Sequence, residues 1–138
     1  MIFDLFDDLN WAAVIVAAVA YFALGWLWYS NALFGRQYRA AIGVDEEAAG
    51  VVNVGALVAN LAGWLIAAVA LALVSAAVGA DSVADGLVLG LVVAFGFIGT
   101  NRIVAMFYEG RNSALMAING PYTLLGYAIM GVILATWT

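Results

Sequence analysis

Three asparagines and one arginine, Asn60, Asn101, Asn119 and Arg102, stand inside stretches of this chain that are otherwise almost wholly apolar. Counted inward from the nearest charged flank at 1.5 Å per helical residue, the three amides lie at similar depths, roughly 9 to 13 Å. Trp28, Tyr29, Ser30, Thr100 and Tyr122 belong to the same half of the sequence pattern, whereas the other half is aliphatic. Amide donors and acceptors, aromatic walls and one guanidinium together describe a polar cavity able to take an anionic or amide-bearing group. Trp28, Tyr29, Asn60, Asn101, Arg102, Asn119 and Tyr122 are therefore the candidate ligand-binding residues. A second reading stays open, in which the amides are hydrogen-bonded glue between helices. Arg102 likewise admits two roles. It either meets an anion or snorkels to the nearer interface as a topology determinant, with Glu109 a stretched partner seven residues on.

What the chain lacks narrows the chemistry further. With no Cys and no His, thiolate and imidazole metal sites, cysteine nucleophiles, His-ligated haem and histidine acid/base catalysis are excluded together. Neither a phosphate-cradling glycine loop nor a nucleophile elbow is present. Asp7 with Asp8, and Asp81 with Asp85, are most simply solvated charges. No catalytic residue, metal site or cofactor is expected, and the function class is non-enzymatic. Nine acids against four Arg give a net charge of −5, which argues against nucleic acid, because phosphate must be met by cationic side chains. The acid-rich, Lys-free composition is that of a salt-loving host.

The elements that must position these residues follow from the charges, which are sparse enough to punctuate the chain. Hydrophobic residues make up 67% and charged residues 9% of 138 positions, against a usual ~25% charged in soluble domains. A hydrocarbon core about 30 Å thick needs about 20 apolar helical residues. The gaps between charges accommodate four such helices, at 11–29, 51–78, 86–107 and 114–137. The fold class expected is an all-α integral membrane protein, a single domain over 1–138 forming an up-down four-helix bundle whose short connections make successive helices antiparallel neighbours. No Asp or Glu falls inside any span, so a proton-coupled mechanism built on a buried carboxylate is disfavoured.

All four Arg residues fall on one side of this arrangement. Arg36 and Arg39 lie in the first connection and Arg102 and Arg111 flank the third span, while the amino-terminal tail and second connection carry only Asp. Basic residues near helix ends are retained on the cytoplasmic side, which puts both termini outside, in the cell membrane. Three Asp precede the first apolar run where a secretory signal would be basic, so the first helix is expected to be retained. The segment 30–50 has room for a short stretch in the headgroup layer, followed by Asp45 as a helix cap with Glu46 and Glu47 in the first turn.

Helices in lipid associate through small residues and polar contacts, so stripes of these predict the seams. On the second helix Asn53, Ala56, Asn60, Gly63 and Ala67 recur at spacings of three and four. Gly90, Ala94, Phe97 and Asn101 do so on the third, and Leu115, Asn119, Tyr122, Gly126 and Ile129 on the fourth. Each seam holds an Asn. A bundle this small suggests a homodimer or higher homo-oligomer, or alternatively an accessory or assembly subunit docked on a larger membrane-protein partner. Pro121 either kinks the fourth helix or starts it.

The pattern Asn10-Trp11, then Gly25-x-x-Trp28-Tyr29-Ser30 and Leu33-Phe34-Gly35, then Gly43-x-Asp45-Glu46-Glu47, with Asn119-Gly120-x-Tyr122 near the end, resembles the small membrane proteins of domain of unknown function 1761 (DUF1761). The resemblance spans nearly the whole chain and implies a four-helix membrane protein. It brings no activity, ligand or catalytic residue with it, and Pro121 departs from its pattern.

Overall fold

The computed structural model describes residues 2–30, 32–43, 54–110 and 113–137. Asn53, Asp45, Glu46, Glu47 and Arg111 lie outside the described residues. A short helix α1 (Ile2–Asp7) precedes α2 (Trp11–Trp28), followed by α3 (Gly35–Ile42) and α4 (Val54–Val78). The third span is composite: α5 (Val83–Val93), a wide π-helical turn (Ala94–Gly99) and α6 (Thr100–Glu109), with α7 (Ser113–Thr136) last. Four helices, counting Val83–Glu109 as one, are long and apolar enough to cross a membrane.

Local chemistry sets the helix ends. Asn10 caps α2 by accepting from the Ala13 N–H at 3.2 Å, and its own amide donates to the Trp137 carbonyl at 3.2 Å. One side chain thus starts the first span and ties it to the far end of the last. Gly79, at φ 71°, ends α4 in the left-handed conformation, and the Ala80 N–H returns to the Ser75 carbonyl. Ser82 then caps α5 by accepting from the Asp85 N–H at 3.1 Å, while the Asp85 carboxylate accepts from the Asp81 N–H at 3.3 Å. Asp85 therefore does local work at the positive end of a helix.

The fourth span is the hub. α7 packs most extensively against α5 and also against α2 and α4, whereas α4 and α5 touch little although one tight turn joins them. Adjacency in sequence is not sufficient for contact, as α4 and α5 show; side-chain size decides. Gly86 and Gly90 face Gly131 and Tyr127, and a Cβ at any of the three glycines would strike backbone atoms of the opposite helix. Such close approach gives α5 and α7 a packing area that lipid-facing leucines do not supply. On the other flank Ala13, Val14, Ala17, Ala18 and Tyr21 of α2 meet Ala68, Leu71 and Ala72 of α4, with Tyr122, Tyr127, Met130 and Leu134 of α7 completing the core.

Among the described residues the expected stripe on α4 is not the buried face. Ala56, Asn60 and Gly63 are exposed, Ala67 is half-buried, and a Cβ at Gly63 would meet nothing within 4 Å. The buried line is instead Ala68, Leu71, Ala72 and Ser75, continued by the half-buried Trp64. One residue around a helix is about 100°, so stripes one position apart face different neighbours. The α4 sequence is so rich in Ala and Gly that several stripes qualify by composition. The Trp64 ring decides between them by stacking flat on Tyr21, with centroids 4.0 Å apart and 9° between planes.

Pro121 lies inside α7, not at its start. A proline has no N–H for the carbonyl four residues back. Neighbouring carbonyls in that stretch receive side-chain donors: the Trp28 indole N–H bonds the Ile118 carbonyl at 3.0 Å and the Thr123 hydroxyl bonds the Asn119 carbonyl at 3.0 Å.

Candidate functional site: a polar cavity at one end of the bundle

The end of α2 is built as a docking device for the first half of α7. Gly25 leaves room for the Tyr122 phenol: a Cβ there would come within 2.6 Å of its hydroxyl oxygen. Tyr122 in turn donates to the Tyr21 carbonyl at 3.4 Å. One turn later Trp28 holds the Ile118 carbonyl, and the Tyr29 hydroxyl donates to the side-chain oxygen of Asn119. The chain then folds back, with the Phe34 N–H on the Trp28 carbonyl and the Gly35 N–H on the Ser30 carbonyl, both at 2.9 Å. Gly35 is required there because a Cβ would collide with the Tyr29 and Ser30 carbonyls. The sequence pattern Gly25-x-x-Trp28-Tyr29-Ser30 and Leu33-Phe34-Gly35 is therefore one contact, made with Asn119-Gly120-x-Tyr122.

Around that contact runs a chain of rings. Tyr122 sits edge-on to Tyr21 at 5.0 Å and to Tyr29 at 5.2 Å, and Tyr29 meets Tyr38 of α3 at 4.8 Å. Edge-to-face packing of this kind suits the ring quadrupole. Tyr29, Tyr38 and Tyr122 wall a cavity of about 450 Å³ together with Asn60, Asn119 and Arg102. That volume lies within the ~300–1,000 Å³ range of small-molecule sites. Arg102 donates to the Thr123 hydroxyl at 2.8 Å. A guanidinium carries five N–H donors, and the bond to Thr123 uses one of them.

Five of the seven residues singled out by sequence, Tyr29, Asn60, Arg102, Asn119 and Tyr122, line this one cavity. Trp28 does not line it. Its indole faces the Ile118 carbonyl and its ring packs on Phe34 and, at 6.1 Å, on Tyr122, so it backs the wall. Asn101 is the correction: it is exposed and lines neither this cavity nor the neighbouring cleft between the third span and α7. The wide turn at Ala94–Gly99 explains this. It stretches the repeat, so Ala94, Ile98 and Arg102, spaced by four, face α7, and the straight-helix line through Phe97 and Asn101 turns outward, with Phe97 72% exposed. Of the other small positions marked for packing, Gly90 and Gly126 are buried, the latter against the Tyr21 ring.

Tyr38, Trp64, Phe22 and Trp26 also line the cavity and were missed. Trp64 follows Asn60 by one helical turn, a spacing that marks a shared face. Tyr38 gave no comparable signal, since its place depends on the fold-back at Gly35.

Fold and site together define a class: small, all-helical proteins with four helices of membrane-spanning length and composition and an aromatic, amide-bearing cavity at one end. The chain belongs to the DUF1761 family of proteins of unknown function, whose model matches residues 12–135. No curated protein and no solved structure matches it.

Proposed function

We propose that this protein is a non-enzymatic, multi-pass membrane protein that binds a small solute or lipid group carrying an anionic or amide function, from the cytoplasmic side. The observation that carries the reading is the convergence of Arg102 and Asn119 with Tyr29, Asn60 and Tyr122 on one cavity, while the carboxylates of the spans, Asp85 and Glu109, stand only at the two ends of the third. An uncompensated arginine within an apolar segment is costly, on the order of 2.5–3.5 kcal/mol at mid-bilayer, and is retained where it contacts something. Mass spectrometry of molecules released from protein extracted with its native lipid is expected to show a stoichiometric anion or amide. Arg102→Lys and Asn60→Leu should each lower its occupancy about tenfold, the loss of one good polar contact, with little change in thermal stability. Recovery of bulk lipid alone, with a stoichiometric protein partner, would replace this reading with that of an accessory subunit. The exposed position of Gly63, with nothing within 4 Å of where a Cβ would stand, supports that alternative, and it equally supports association between copies of this chain.

The proposed topology is an up-down bundle with both termini outside. Its supports are the bond from Asn10 to Trp137, which brings the start of α2 to the end of α7, and the segregation of Arg from Asp along the sequence. The Cys-free background permits single-cysteine labelling. A cysteine at Ser82 should react with an impermeant reagent on intact cells and one at Ala40 should not; the reverse pattern inverts the topology.

A further inference from the structure

Arg102 and Asn119 line two cavities at once. Beyond the polar cavity, on the other side of these two residues, lies a cleft of about 330 Å³ between the third span and α7. Its walls are hydrocarbon and thioether: Ile98, Ile103, Met106, Leu115, Met116 and Leu124. Two local features open it. The wide turn at Ala94–Gly99 borders one wall, and on the other Gly120 precedes Pro121 with nothing within 4 Å of where a Cβ would stand. Two methionines give the cleft walls that adapt to a flexible occupant.

An apolar cleft that ends on a guanidinium is complementary to a molecule with the opposite arrangement, one hydrocarbon chain and one anionic head. Arg102 gives one hydrogen bond to Thr123, out of the five donors of a guanidinium. Its planar fork matches a carboxylate in a bidentate manner. The cleft stands near the lower limit of ligand-site volumes, a size for one chain and not for two. We propose that this cleft holds the chain of a single-chain anionic amphiphile, a fatty-acid-like carboxylate, with its head at Arg102 and Asn119 and facing the polar cavity. The proposal rests on the reading of the polar cavity as a ligand site and names the class of ligand. Charge is the discriminating feature, because a neutral lipid tail would fill the same apolar cleft without engaging Arg102.

The test uses the full-length protein in discs of zwitterionic lipid, with three probes: dodecanoate bearing a diazirine on its terminal carbon, dodecanol bearing the same group, and acetate. Dodecanoate should photolabel cleft residues such as Ile103, Met106 or Leu115 about tenfold more than dodecanol does, the worth of one charge-assisted pair. Arg102→Gln should reduce dodecanoate to the dodecanol level, and Ile103→Trp, which fills the cleft from a partly exposed position, should block the chain while leaving acetate binding unchanged. The comparison of dodecanoate with dodecanol on the unmodified protein requires no variant to fold. Equal labelling by the two, or dodecanoate labels on Phe22 and Leu57 of the polar cavity, would overturn the proposal. Acetate binding as tightly as dodecanoate would also overturn it, and would leave the polar-cavity reading standing. If neither anion binds, the proposal falls, and with it the anionic form of the polar-cavity reading.

Discussion

Gly90→Leu is expected to abolish recovery of folded protein, and Gly90→Ala to lower stability by roughly 1–3 kcal/mol, the usual penalty for overpacking a tight contact. A Cβ at Gly90 would press on the Tyr127 carbonyl group, 2.7 Å from its carbon and 2.9 Å from the Ala128 Cα. These are backbone atoms, so no rotamer change relieves the contact and the helices must part. The facing Gly131 is equally constrained, with its Cβ position 3.2 Å from the Gly90 nitrogen. Separation forfeits close packing along the whole contact of α5 with α7, and lipid offers no hydrophobic gain in exchange. Gly63→Ala is the control, because nothing lies within 4 Å of its Cβ position. Denaturant titration in mixed micelles, followed by helical circular dichroism, should separate the two. Equal stability of Gly90→Ala and Gly63→Ala would show that the glycine contact does not hold the third span to the fourth.

That contrast also shows how much of the molecule was legible beforehand. Four spans could be placed from sparse charges alone, because apolar runs of about 20 residues have few alternatives to a transmembrane helix. Five of the cavity residues could be named because a polar side chain in such a run stands out from its neighbours. What could not be read is the rotation of one helix relative to another. Counting at a fixed helical period carries Asn101 onto the face of Gly90 and Ala94. The wide turn at Ala94–Gly99 shifts that face to Arg102, and no residue in AFGFIG announces the extra width. On α4 the difficulty is the reverse, since small residues on several faces leave the choice to the partner helix. Contacts out of chain order, such as α2 with α7, arise from residues more than 100 positions apart, Tyr21 and Gly126, and a local pattern does not specify such pairings.

Tyr21→Ala is the second change expected to have a large effect, about 3 kcal/mol, toward the lower end of the range for deleting a buried aromatic because the lipid reference state removes part of the transfer term. The Tyr21 ring is fully buried where three spans meet. It stacks on Trp64 of α4, and presents edges to Tyr122 and Tyr127 of α7 at 5.0 and 5.6 Å with interplanar angles of 83° and 88°. Gly126 lets the ring approach α7, for a Cβ there would lie 2.7 and 2.8 Å from two ring carbons. Truncation therefore leaves a void at a point where α2, α4 and α7 pack together. It also frees Trp64 and Tyr122, which both line the polar cavity, so loss of stability should be accompanied by a change in Trp64 fluorescence and by weaker ligand retention. Trp26→Ala removes a larger side chain from the same helix at a position 74% exposed. It should cost little, since lipid can fill the space that the indole leaves. If Trp26→Ala and Tyr21→Ala lower thermal stability equally, side-chain volume and not the ring cluster sets stability, and α4 is held to α2 by its Ala contacts at Ala68 and Ala72 instead.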